Sequence, residues 1–275
     1  MLAELSESDA TGELAHIYQE IRELCAVPYV SSLQRHLATR SGWLEWAWHA
    51  LRPAFVDGRA QELAWSLLDE LEIAPLPPIS PDALRVLEVD EAGLQTLRGI
   101  CESFIRVSPT NLMQSGMLRC FLNGQTPTGA GADSAARWSA PAALAELPEM
   151  VDIAALPPSQ RGVLMAFCVD VDDSPFVPGL YRMLARWPKY FAHLATVLAP
   201  RLTDEATCAS CDRFLARIDA ESDRVFQTLP PPSRATPDVA EHASILAVLE
   251  RYRQTSPQMV IYGALIRDAL PRCLG

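Results

Sequence analysis

Lysine is all but missing from this chain. Lys189 is the single one in 275 residues, so the positive charge is almost all arginine. Basic residues are also outnumbered, with 23 Lys and Arg against 34 Asp and Glu, a net charge of −11. Phosphate binding needs a clustered positive field, so this balance argues against nucleic acid as a partner. It argues equally against an anionic membrane surface. No apolar run reaches the length of a membrane span. The N-terminal MLAELSESDATGEL is acidic and lacks an apolar core, so no secretory signal is read there and a cytoplasmic location is expected. Seven cysteines, an odd number at irregular spacings, do not form a disulfide framework. His16, His36, His49, His193 and His242 are dispersed, so no metal site is expected. The nucleophile elbow, phosphate loop and dinucleotide fingerprint are all missing, and no cofactor is expected.

What is present is apolar and helical. Hydrophobic residues make up 49% of the chain, ample for a buried core. ELAHIYQEIREL at 13–24 spaces Leu14, Ile17, Tyr18, Ile21 and Leu24 by three and four. The segments 58–72 and 91–107 follow the same period. Ser80-Pro81 reads as a helix cap with proline in the first turn. Alternating strand patterns are almost absent, and prolines are expected between helices rather than within them. The expectation is an all-α fold.

A repeat organises the chain. Residues 28–53 align without gaps onto 175–200, and 8 of 26 positions are identical, including Pro28/Pro175, Leu33/Leu180, Arg35/Arg182, Leu37/Leu184 and Pro53/Pro200. A second window, 100–122, matches 248–270 through Glu102/Glu250, Ser108-Pro109/Ser256-Pro257, Arg119/Arg267 and Leu122/Leu270. Two windows in one order at nearly one offset imply two tandem related helical repeats, 1–123 and 150–275, forming an intramolecular pseudo-dimer. Residues 124–149, rich in Gly, Ala, Ser and Pro, read as a linker.

Several residues carry more than one reading. Cys208-Ala-Ser-Cys211 follows a helix start at Thr203-Asp204-Glu205 and could hold a reactive thiolate, but position 215 is leucine and no histidine follows to relay a proton. Its alternative is two small hydrophobes on one helical face. Arg35 and Arg182 are either structural ion-pair or helix-end residues retained in both copies, or clamps for a substrate carboxylate. Ser108 and Ser256 are expected to cap helices, with a pocket role for Ser108 as the other reading. Asp172 and Asp173 read as a solvated loop.

On these residues the sequence resembles the group I 2-haloacid dehalogenases. The resemblance rests on Val27-Pro28-Tyr29-Val30, Arg35, Leu37-Ala38-Thr39, Gly42-Trp43-Leu44 and Ala47-Trp48 in the first copy. Leu184-Ala185, Trp187-Pro188 and Leu198-Ala199-Pro200 carry it in the second. Ala10-Thr11-Gly12-Glu13, Pro75-Leu76-Pro77 and Val151-Asp152 match in order, so it covers nearly the whole chain. The resemblance implies a cofactor-free hydrolase with a site between the repeats. There an aspartate, helped by an asparagine, activates water against the halogen-bearing carbon. Carried onto this sequence, the aspartate falls on Leu180 and the asparagine on Ser108. Leucine cannot accept a proton, and the equivalent position in the first copy is also leucine, Leu33. Asp172 and Asp173 lie seven or eight residues upstream, a poor place for a substitute base. Tyr29 and Tyr252 keep the family's aromatic character near the implied pocket. The resulting expectation is a family member with a degenerate site, diverged in substrate or activity; if it is an enzyme, it hydrolyses the carbon–halide bond of 2-haloalkanoic acids or a related small acid. The alternatives are a non-catalytic binder of a small carboxylate and a thiol redox protein using Cys208 and Cys211. The sequence leaves a homo-oligomer open.

Overall fold

The computed structural model describes residues 3–129, 138–171 and 174–272. The chain folds as all-α. In order run α1 (Gly12–Cys25), α2 (Ser32–Leu37), α3 (Trp43–Val56), α4 (Arg59–Ser66), α5 (Pro81–Val86) and α6 (Glu91–Leu122). After the segment carrying the expected linker, of which 130–137 lie outside the described residues, come α7 (Pro158–Met165), α8 (Gly179–Leu184), α9 (Pro188–Leu198), α10 (Glu205–Gln227) and α11 (His242–Ala269). Between α7 and α8 sits a short antiparallel hairpin, β1 (Val169–Val171) and β2 (Ser174–Phe176), with Val169 opposite Phe176. Asp172 and Asp173 lie outside the described residues.

Local chemistry explains most boundaries. Ser80 Oγ accepts from the Ala83 amide at 3.1 Å and Pro81 opens α5, as the Ser-Pro signal predicts. Asp204 accepts from the Thr207 amide at 3.0 Å and so caps α10. The expectation that proline stays outside helices is corrected: Pro53, Pro109 and Pro257 lie inside α3, α6 and α11. Ser108 and Ser256 accordingly sit within helices and cap nothing. A helix of 32 or 28 residues anchored by buried side chains on both sides of the proline can lose one hydrogen bond and continue.

Contacts divide the chain into two compact units. The first comprises 1–70, 106–144 and 214–253; the second comprises 71–105, 145–213 and 254–275. Each therefore draws on both sequence repeats, and α6, α10 and α11 each supply residues to both.

In the first unit the core gathers around α3. Trp43, Trp46 and Trp48 are all buried, and each indole N–H is satisfied: by Glu241 at 2.5 Å, by the Arg234 carbonyl at 3.2 Å and by Glu20 at 2.7 Å. Trp46 meets Phe121 edge-on at 5.7 Å, and Phe121 meets Phe226 at 4.7 Å, joining α3, α6 and α10. A Cβ at Gly116 would collide with Ser222, so the α6–α10 approach here requires glycine.

In the second unit Phe167 stacks on Tyr181 at 4.4 Å and touches Phe191 at 5.0 Å, tying α7 to α8 and α9. Leu97, Ile100 and Cys101 of α6 and Val260, Ile261 and Ile266 of α11 are buried in the same unit. Arg98 closes the end of α11 by donating to the carbonyls of Arg267, Leu270 and Pro271 at 3.2–3.4 Å.

Candidate functional site

The first unit holds a buried carboxamide cluster. The extended Ser31 precedes α2, on which Gln34 is buried. Gln34 Nε2 donates to Asn111 Oδ1 at 2.8 Å and to Gln114 Oε1 at 2.6 Å, while its Oε1 accepts from Ser31 Oγ. Gln34 thus spends both N–H groups and its carbonyl. Gln114 Nε2 and Ser115 Oγ are buried without a hydrogen-bond partner among the described residues. Such a cluster orients and donates, but a carboxamide does not take up a proton at neutral pH.

The next residue, Arg35, turns to a different group. Its guanidinium pairs with Glu4 at 2.7 Å, and its carbonyl accepts from the Leu5 amide at 3.0 Å. Tyr29 and Tyr252 both lie within its field. Burial pushes both phenols up, and the Arg35 charge partly offsets this. Ser32 hydrogen-bonds the Tyr252 hydroxyl. The structure therefore brings Tyr29, Arg35 and Tyr252 together. Ser108 is buried in α6 in the same unit.

Leu180 and Arg182 belong to the second unit. Leu180 is fully buried, on a helix whose other inward residues are Tyr181, Met183 and Leu184. A Cβ on the preceding Gly179 would meet Met150 at 3.0 Å and Phe104 at 3.5 Å, so the entry to α8 is closely packed by apolar groups. Arg182 donates to the Val151 carbonyl at 3.0 and 3.3 Å, and its own carbonyl accepts from the Val151 amide at 3.2 Å. Both arginines of the matched windows hold a segment about 30 residues upstream in the chain. Arg35 does so with a carboxylate, Arg182 with a backbone carbonyl.

No family model matches the chain. It is 28% identical over 221 residues to a configuration-inverting 2-haloacid dehalogenase of Alcaligenes xylosoxydans xylosoxydans, covering 78% of this chain and 74% of that protein. It is 23% identical over 252 residues to an (R)-2-haloacid dehalogenase of Pseudomonas putida, covering 87% of this chain and 80% of that protein. Both of these relatives are 2-haloacid dehalogenases, and the similarity extends over most of this chain. The fold agrees. A solved D-2-haloacid dehalogenase mutant in complex with D-2-CPA superposes with a TM-score of 0.75 at 18% identity, over 98% of this chain and 96% of that one. A D-2-haloacid dehalogenase in complex with L-LA gives 0.72 at 18% identity, over 98% and 97%.

The two thiols of the Cys-x-x-Cys pair sit in different surroundings. Cys211 is buried, and burial pushes its thiol up to about 12, leaving almost no thiolate at neutral pH. The Cys208 thiol donates to the Leu202 carbonyl at 3.4 Å. Among the described residues no group of three His, Cys, Asp or Glu could hold a metal ion, and no helix is long and apolar enough to cross a membrane. The residues that sequence reasoning passed over are Gln34, Asn111 and Gln114. One signal was available. In the two matched sequence windows Gln34 aligns with Tyr181 and Gln114 with Tyr262, so the windows differ at two positions that touch in the first unit.

Proposed function

We propose that this chain is a 2-haloacid dehalogenase family member with a degenerate active site, which has diverged from hydrolysis of 2-haloalkanoic acids to binding a small carboxylate. One observation carries the reading. The position that the family resemblance gives to the water-activating aspartate is Leu180, fully buried among apolar side chains. A hydrocarbon cannot take a proton from water, and general-base assistance of this kind is worth roughly 10²–10⁴-fold in rate. Ser108, in the asparagine's position, offers a shorter hydroxyl that can orient a water but cannot replace the base. Gln34, Asn111 and Gln114 supply further hydrogen bonds and no base. We further propose that 1–123 and 150–275 are copies of one ancestral helical unit joined by 124–149. In support, α2 and α8 are both six residues long and stand 147 residues apart, and Arg35 and Arg182 make parallel backbone bonds.

The test is halide release from racemic 2-chloropropionate, followed by ion chromatography. The protein is expected to release no more halide than buffer does. A Leu180→Asp/Ser108→Asn variant that gained halide release while remaining folded would support the assignment of both positions. Sustained release by the unaltered protein would show that another group serves as base and would overturn the proposal.

A further inference from the structure

The second unit contains a cavity that none of the residues discussed above explains. It lies between α7 and α9, has a volume of about 240 Å³, and is lined by Val163, Ala185 and Phe191 on its apolar side. Phe191 and Ala185 are buried, whereas Ser159 and Lys189, which also line it, are exposed and Gln160 is half-buried. The cavity therefore has a largely apolar floor and an exposed rim on which Pro188 and Ala192 stand beside Ser159 and Lys189. Drug-sized ligands occupy pockets of roughly 300–1,000 Å³, so this one suits something smaller. At roughly 30 Å³ for each water-sized group, it has room for about eight non-hydrogen atoms.

The charge at the mouth selects the ligand class. Lys189 is the only lysine of an acidic chain and is one of the exposed residues lining a largely apolar cavity. Its partner is Glu88 at 2.6 Å, with side chains 56% and 69% exposed. Exposed pairs of this kind contribute roughly 0–1 kcal/mol, so another carboxylate can take Glu88's place. A lysine in the wall of a hydrocarbon-lined hollow, its ammonium held only by an exposed pair, fits a molecule with an apolar tail and one negative end. We infer that the α7–α9 cavity binds a short aliphatic carboxylate of about six carbons, its chain against Phe191 and Ala185 and its carboxylate on Lys189. Acetate lacks the chain that fills the floor. Hexanol lacks the charge that meets the ammonium. This site stands independently of the hydrolytic reading, since none of its residues is placed in that machinery.

The single lysine makes the test direct. Reductive methylation with ¹³C-formaldehyde keeps the positive charge and labels Lys189 and the N-terminal amine alone. Titration with hexanoate at constant ionic strength is expected to shift the Lys189 dimethyl resonance saturably, while acetate and hexanol leave it unsaturated over the same range. Glu88→Gln removes the competing carboxylate and is expected to tighten hexanoate binding about two- to threefold. Val163→Asp sets a negative charge in the wall and is expected to abolish the saturable shift. Circular dichroism of both variants reports that the fold is kept. Equal responses to hexanoate and acetate, no saturable shift at all, or an unchanged response in a folded Val163→Asp variant would each overturn the inference.

Discussion

Helices α2 and α8 are the same length and occupy equivalent places in the two sequence windows, yet their inward faces have opposite chemistry. In α2, Gln34 reaches Gln114 and Asn111 through hydrogen bonds of 2.6 and 2.8 Å. In α8, the aligned Tyr181 lies near the aligned Tyr262, with Phe167 stacked on its ring and its hydroxyl without a hydrogen-bond partner among the described residues. Leu33 and Leu180, one residue earlier, are both fully buried. A carboxamide pair and a phenol pair thus fill one structural role by different means. Polar satisfaction holds the first in place, and apolar packing holds the second. In the proposed reading the second copy is where a base should stand, and its inward face has become core.

Four substitutions can break or sharpen that contrast. Leu180→Ala should have the largest effect, lowering stability by about 3 kcal/mol in urea denaturation, because a fully buried leucine leaves a cavity behind. A loss below 1 kcal/mol would mean that α8 faces space rather than core. Gln34→Ala should cost about 2 kcal/mol, since it strips the donor from both Asn111 and Gln114 and leaves those groups buried. Glu20→Gln should come next, at about 1 kcal/mol. Glu20 accepts from Arg52 at 2.5–2.9 Å and from Trp48 at 2.7 Å, and the Arg52 bond chiefly holds its carboxyl below the usual range. Its folded pKa is lowered, so its contribution is full above the unfolded carboxyl pKa and disappears as pH falls through the folded one. The gap between wild type and Glu20→Gln should therefore close on acidification. A gap that widened towards acid would contradict the assignment. Tyr181→Phe should be the mildest, within about 0.5 kcal/mol of wild type or slightly stabilising, because the hydroxyl it removes has no partner. A large loss there would reveal a bond that makes α8 resemble α2 after all.

Much of the fold was legible in the sequence, and the reasons are local. The three- and four-residue spacing of 13–24 reports α1 to within a residue at each end. Ser80-Pro81 and Asp204 mark helix starts because a side-chain oxygen there accepts an amide that the helix leaves free. The in-helix prolines were not legible, because the rule that residues before proline avoid helix is a local preference. Burial along α6 and α11 is a tertiary effect and overrides it. The candidate site was legible only in part. Tyr29, Arg35 and Tyr252 were picked out separately, and the structure gathers them. The amides escaped notice because a glutamine in a helix usually faces water, and nothing local distinguishes one whose partner lies 80 residues away.

The most direct test of the central claim places the protein in stoichiometric amount with racemic 2-chloropropionate and follows the mixture by ¹H NMR for several days. The account predicts that both enantiomers persist while their resonances broaden, or show saturation transfer, on binding. Lactate accumulating at one equivalent or more per chain would contradict it, because a side chain other than Leu180 would then be activating water.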